Sequence, residues 1–272
     1  MRGEVERTYA SASAPAQGIE LAGYGEAQLA SLPAGAAEEF FGCGNPLAFA
    51  EVRSGDTVVD LGSGAGVDLI LAAQAVGPSG RAIGVEMTGP MIARARKNLN
   101  SAGITNAEVR KGVVEELPVE DASVDWVISN CVVSLSPEKH RVFREIARVL
   151  KPGGRMLISD IVVDEDLACV LARLAPYMPS IGSARSEGHY LGAMAEAGLT
   201  DLKVRSRFVY EPEHLVGLFG SELGADSALG ACPATSLRSR AAKSYVGRRA
   251  VSGLARRLGG RVTSSKFYAR RP

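Results

Sequence analysis

From about Asp56 onward, short β-branched runs alternate with runs of helical periodicity, and this alternation restricts the fold more than any other feature of the chain. "TVVDLG" predicts a strand ending in a glycine-rich turn, and "VDLILAAQAVG" has helical spacing and stops at glycine. "RAIGVEM" predicts a second strand, and "PMIARARKNLNSAG" a helix with proline at its start and glycine past its end. "NAEVRKG" and "SVDWVISN" follow as strands, "KHRVFREIARVL" as a helix, and "GGRMLISDIV" as a fifth strand introduced by "KPGG". Such repetition requires parallel strands joined by right-handed crossovers, so the expected fold class is α/β, a doubly wound Rossmann-like sheet. Further on, "EGHYLGAMAEAGL" predicts a helix, and "DLKVRSRFVY" and "RVTSSKFYAR" predict strands that pair antiparallel at the sheet edge. Between those two strands lies an insertion, 211–260, far longer than a hairpin needs. Within it Ala242, Val246, Ala250, Leu254 and Leu258 recur every fourth position, the pattern of a helix with one apolar stripe.

Charge is distributed unevenly. Residues 227–272 hold eleven Lys/Arg and no Asp/Glu, whereas the rest of the chain holds twenty Lys/Arg against thirty Asp/Glu. A basic tail on an acidic body suits an anionic partner such as a phosphate or an acidic peptide, or is a solvated segment that offsets the body. No run of about 18 apolar residues occurs, so no membrane-spanning helix is expected. The opening "MRGEVERTYASASAPAQG" carries acidic residues and no apolar core, which is not the pattern of a secretory leader. Four cysteines (Cys43, Cys131, Cys169 and Cys232) stand far apart without a CxxC pair, so neither a disulfide scaffold nor a resident metal is expected. Such usage fits a reducing cytoplasm.

The first strand–turn–helix reads Asp60-Leu61-Gly62-Ser63-Gly64-Ala65-Gly66. In an open parallel sheet, ligands sit outside the carboxyl ends of the strands where strand order reverses, and glycines there admit a ligand to backbone N–H groups. The turn alone is shared by dinucleotide, flavin and S-adenosylmethionine sites. Glu86, some twenty residues on at the end of the next strand, suits the ribose hydroxyls of an adenosine. A dehydrogenase would also use such an acid, but its turn is spaced GxGxxG where this one is GxGxG.

Taken together, "FFGCGNPLAFAEV", "GDTVVDLGSGAGVDLILAAQAVGPSGRAIGVEMT", "MIARAR", "VEELPVEDASVDWVISNCVVSLSPEKHRVFREIARVLKPGGRMLISDIV" and "MAEAGL" resemble, in order and spacing, the class I S-adenosylmethionine-dependent methyltransferases, and among them the arsenite methyltransferases. The resemblance implies an enzyme with S-adenosylmethionine as cofactor. It implies that Asp60, Gly62, Ser63 and Gly64 line the methionine moiety, and that Glu86, where the family usually has aspartate, holds the ribose. Met87 would pack beside the adenine, and Gly112, Val113 and Val114 on its other side. Asn130 would meet the amino-acid end of the cofactor. The organisation that follows is a cap or lid over 1–45, a cofactor-binding core over 46–165, and an acceptor-side part over 166–272.

In that family, thiolates hold trivalent arsenic, a soft and thiophilic centre. The matching residues are Cys43 in the GCGNP motif and Cys131 in the SNC motif, which are therefore the expected catalytic pair, with arsenic as substrate. A third family cysteine is replaced by Ser180 in "YMPSIGSARSEGHYLGAM", and a hydroxyl is a poor ligand for arsenic. Two thiolates suit an organic trivalent arsenical, which has two exchangeable positions, better than inorganic arsenite, which has three. The other reading is a small organic or peptidic acceptor in a biosynthetic pathway, met by the basic insertion, with His189 or His214 as general base and the two cysteines as packing residues. A third is a methyltransferase fold that binds without catalysis. Cys169 and Cys232 match no known ligand position and read as buried packing residues or stand-ins for the missing thiolate. The expected partner is a small molecule, not nucleic acid.

Overall fold

The computed structural model describes residues 22–174, 178–223 and 251–272. Most of the insertion (224–250, with Ala242, Val246, Ala250 and Cys232) lies outside the described residues, as does the opening 1–21.

Seven strands form one sheet in the order β3-β2-β1-β4-β5-β7-β6. They are β1 (Thr57–Leu61), β2 (Arg81–Glu86), β3 (Ala107–Lys111), β4 (Val124–Asn130), β5 (Leu150–Val163), β6 (Thr200–Val209) and β7 (Val262–Arg270). The first five are parallel, and β7 runs antiparallel to both β5 and β6. The antiparallel pair expected at the sheet edge is present, with β6 outermost on that side and β7 between it and β5. Strand β5 also begins earlier than "GGRMLISDIV" predicts, because Leu150 pairs with Val124 across a register shift. Order reverses between β1 and β4, and a cleft opens there at the carboxyl ends.

The helices are α1 (Glu26–Ala30), α2 (Val67–Val76), α3 (Gly89–Ser101), α4 (Lys139–Val149), α5 (Glu165–Leu171), α6 (Pro179–Gly182), α7 (Glu187–Glu196), α8 (Pro212–Leu223) and α9 over 251–258. In α4, Val142, Phe143, Ile146 and Val149 are fully buried, while Arg141 and Arg144 are exposed on the opposite side. Each such burial contributes roughly 1.5–3 kcal/mol. Helices α4 and α7 cover one face of the sheet, and α2 and α3 the other. Helix α2 is apolar on almost every side because it is sandwiched: Leu69, Ile70 and Ala73 meet the sheet, and Val67 and Leu71 meet Tyr24 and Phe40 of the segment before β1. At the carboxyl end of the sheet, α5, α6, α8 and α9 enclose a separate apolar cluster that contains Cys43 and Cys131. Among the described residues no helix is long and apolar enough to cross a membrane.

Candidate active site

Four turns at the carboxyl ends of β1 to β4 and the segment around Phe40–Gly42 line one pocket. Asp60, Gly62, Ser63 and Gly64 come from the first turn, Glu86 and Met87 from the second, Gly112, Val113 and Val114 from the third, and Asn130 and Cys131 from the fourth. The cofactor-contact residues expected from the sequence therefore converge on one cavity. Gly62 and Gly64 both have positive φ (65° and 52°), and a Cβ on Gly62 would collide with the Val132 side chain. The Glu86 carboxylate accepts from the Gly64 N–H at 3.1 Å and from the Thr88 N–H and hydroxyl at 2.8 and 2.9 Å. It thus fixes the glycine turn and still has lone pairs facing the cavity.

Sequence reasoning passed over several lining residues, among them Phe40, Asp68, Thr88, Met91, Glu115 and Leu135, and also Tyr24, which hydrogen-bonds to Asp68 without lining the pocket. Asp68 had a visible signal, as the one acid in an otherwise apolar helix. Asp60 and Asp68 are both buried, at 2% and 6% exposure. Burial raises the Asp60 carboxyl well above its ordinary range, and the neighbouring Asp68 and Glu86 carboxylates add to the effect. Burial likewise raises Asp68 to about 6, against hydrogen bonds from Tyr24 and Asn130 that favour its charged form. Among the described residues no Lys, Arg or His lines the pocket, and Asp60 Oδ2 and the Ser63 hydroxyl are buried with no hydrogen-bond partner among them. Four acids around one cavity (Asp60, Asp68, Glu86 and Glu115) with no protein cation among its described lining residues call for a cationic ligand. S-adenosylmethionine, with its ammonium and sulfonium beside an adenosine, fits that demand, and Met87, Met91, Val113, Val114 and Leu135 supply an apolar slot for the base.

The fourth turn carries the unusual backbone. Cys131 follows β4 directly with φ of 58°, a left-handed conformation costly for a residue with a Cβ, and its N–H donates to Ser159 O at 2.8 Å. This bend ends the strand and turns the Cys131 side chain toward the segment before β1. There it meets Cys43: the two cysteines form a disulfide, with Cα atoms 5.8 Å apart. Both are buried, at 7% and 8% exposure, in the apolar cluster that includes Met178, Ile181 and Leu215. The pairing departs from the expectation of four unbridged cysteines, and its cause is the proximity that the turn creates. Ser180 is buried in α6. Cys169 is exposed on α5, not packed as expected.

Neither candidate histidine lines the pocket. His189 stacks edge-on against His140 at 5.5 Å on the outer side of α4 and α7, and burial lowers its pKa. His214 Nδ1 accepts from the Glu211 N–H at 3.2 Å at the start of α8.

This fold and this pocket are those of a Rossmann-like methyltransferase domain of the class that takes S-adenosylmethionine. The chain belongs to the methyltransferase domain family, whose model matches residues 52–198. Among curated proteins it is similar to the arsenite methyltransferase of Halobacterium salinarum, with 55% identity over 147 residues, covering 54% of this chain and 37% of that protein. A second similarity is to the arsenite methyltransferase of Aquipseudomonas alcaligenes, with 42% identity over 136 residues, covering 47% of this chain and 39% of that one. The matched segment thus spans less than two-fifths of either relative. Among solved structures, an arsenic(III) S-adenosylmethionine methyltransferase from Chlamydomonas reinhardtii matches with a TM-score of 0.64 and 27% identity, covering 94% of this chain and 73% of that one.

Proposed function

We propose that this chain transfers a methyl group from S-adenosylmethionine to a trivalent arsenical held by the thiolates of Cys43 and Cys131. The observation that supports it most is the meeting of these two sulfurs, 88 residues apart in sequence, at Cys131, which itself lines the pocket of buried carboxylates while Cys43 stands behind it. Reduction of the disulfide by an external thiol frees two thiolates. Each forms an arsenic–sulfur bond as a hydroxyl leaves arsenic, departing as water with the proton that the cysteine thiol gave up. When bound, S-adenosylmethionine supplies a methyl on a sulfonium, an electrophile for the arsenic lone pair. The protein's own contribution is positional: Asp60, Asp68 and Glu86 hold the cationic donor, and the cysteine pair holds the acceptor in line. With two sulfurs and an apolar wall of Met178, Ile181 and Leu215, the site suits an arsenical whose third substituent is organic.

The burial of Ser180 in place of a third thiol favours a second reading, a small organic or peptidic acceptor in a biosynthetic pathway. One assay separates the two. Protein, S-adenosylmethionine carrying a labelled methyl, and glutathione are incubated with arsenite or methylarsonous acid. Labelled methylated arsenic, lost in Cys43→Ser and Cys131→Ser variants that still bind the cofactor, supports the first reading. Cofactor binding without any methylated arsenic overturns it.

A further inference from the structure

We propose that Tyr24 is a positioning residue which, through Asp68 and Asn130, holds the Cys43 loop so that Cys43 faces Cys131. This rests on the reading above only in giving Cys43 an acceptor to bind. Among the described residues, the segment before β1 holds one five-residue helix and one three-residue 3-10 turn (Ala37–Glu39), and neither reaches residue 43. Side-chain hydrogen bonds place it instead. Asn130 Oδ1 accepts from the Cys43 N–H at 2.9 Å and from the Gly44 N–H at 3.2 Å. Its amide nitrogen donates toward Gly44 O and toward Asp68 Oδ2, the latter at 3.0 Å, and lies 3.1 Å from Tyr24 Oη. Tyr24 donates to the other Asp68 oxygen at 2.5 Å.

These contacts form one buried relay. Tyr24, at 6% exposure and edge-on to Phe40, makes a charge-assisted bond that turns Asp68 so its second oxygen meets the Asn130 amide. With its nitrogen engaged there, Asn130 points its oxygen at the two loop N–H groups. Asp68 and Asn130 also line the cofactor pocket, so the groups that receive the methyl donor are the ones that place the acceptor's thiol. Removing the phenol oxygen leaves Asp68 free to turn into the cavity, and the loop loses its orientation.

The test reads loop placement without any methyl transfer. In a Cys169→Ser, Cys232→Ser background, the full-length protein is equilibrated in glutathione redox buffers, and the dithiol fraction is measured by alkylation and mass spectrometry. The parent closes the Cys43–Cys131 pair. Tyr24→Phe shifts the midpoint toward the dithiol by about tenfold in equilibrium constant, which is about 30 mV for a two-electron couple. Asn130→Asp, which keeps an oxygen for the loop but presents a carboxylate to Asp68, shifts it further the same way. A phenol that only packs the core would lower the unfolding temperature of oxidised and reduced protein equally and leave the midpoint unmoved. That result overturns the proposal, as does a parent whose pair never closes. Failure of arsenic methylation with the midpoint shift intact would instead remove the acceptor reading alone.

Discussion

Asn130 and Cys43 are joined across 87 residues of chain by a 2.9 Å hydrogen bond from the Cys43 N–H to the asparagine side-chain oxygen. The amide at the end of β4 thus serves the loop carrying one cysteine, while its neighbour Cys131 supplies the other sulfur. Polar amide and thiol stand side by side because one places what the other meets.

The approach of Gly44 to β5 and β7 makes a glycine necessary there. A Cβ on Gly44 would collide with the Ser159 hydroxyl and come within 2.9 Å of Lys266 Cε. Gly44→Ala should therefore push the loop off the sheet, costing about 1–3 kcal/mol of stability by overpacking. Denaturant unfolding measures the cost, and loss of the Cys43–Cys131 crosslink under mild oxidation reports the displaced loop.

The left-handed backbone at Cys131 (φ 58°) favours glycine over any residue with a Cβ. Under reducing conditions, Cys131→Gly should be more stable than Cys131→Ala by about 1 kcal/mol. Paired unfolding curves check this, and equal stability would mean that the bend is not maintained in solution.

Cofactor affinity should depend on acidity. The Asp68 carboxyl sits at about 6, above its ordinary 3.8, mainly through burial. The unliganded protein accordingly holds a proton there as pH falls through 6, and its stability contribution is lost as pH rises through that value. A bound cation favours the carboxylate, so binding expels the proton. Affinity should weaken roughly tenfold per pH unit below about 6 for one such group. Below pH 6, calorimetry in buffers of different ionisation enthalpy should show net proton release, and release of none there would contradict the charge assignment.

Beneath the cysteine turn lies a second polar knot. The Lys139 ammonium donates to Ser134 O, Ser136 O and Ser183 O at 2.7, 2.9 and 3.3 Å. Asp160 accepts from the Ser134 N–H and the Tyr190 hydroxyl, each at 2.9 Å. Burial lowers Lys139 to about 8, opposed by the attraction of Asp160. Lys139→Met removes that attraction from Asp160 and the ammonium's hydrogen bonds to the three carbonyls, so it should destabilise the fold by about 1–3 kcal/mol. Thermal unfolding at neutral pH tests it.

Much of this molecule was legible in its residues. The β-branched runs and glycine stops located all seven strands and the helices α2, α3, α4 and α7 on the two faces of the sheet, because periodicity and chain punctuation are local properties, whereas the short α5 and α6 and the helix α8 were not anticipated. The glycine turn and Glu86 likewise pointed to the cavity that now contains them. Less local facts were not legible. That β7 inserts between β5 and β6 depends on which edge the returning chain reaches, and no residue of "RVTSSKFYAR" states it. The meeting of Cys43 and Cys131 depends on a segment with little secondary structure, held by Tyr24, Asp68 and Asn130 from three separate parts of the chain. Asp68 was visible as an anomaly in α2, but only the sandwich of that helix between the sheet and the segment before β1 explains it.

Arsenic K-edge absorption on the reduced Cys169→Ser, Cys232→Ser protein loaded with methylarsonous acid tests the central claim most directly, since it counts the sulfurs bound to the acceptor. The account predicts two sulfur neighbours, falling to one in either the Cys43→Ser or the Cys131→Ser variant. An arsenic bound by oxygen alone, or a sulfur count unchanged by both substitutions, would contradict it.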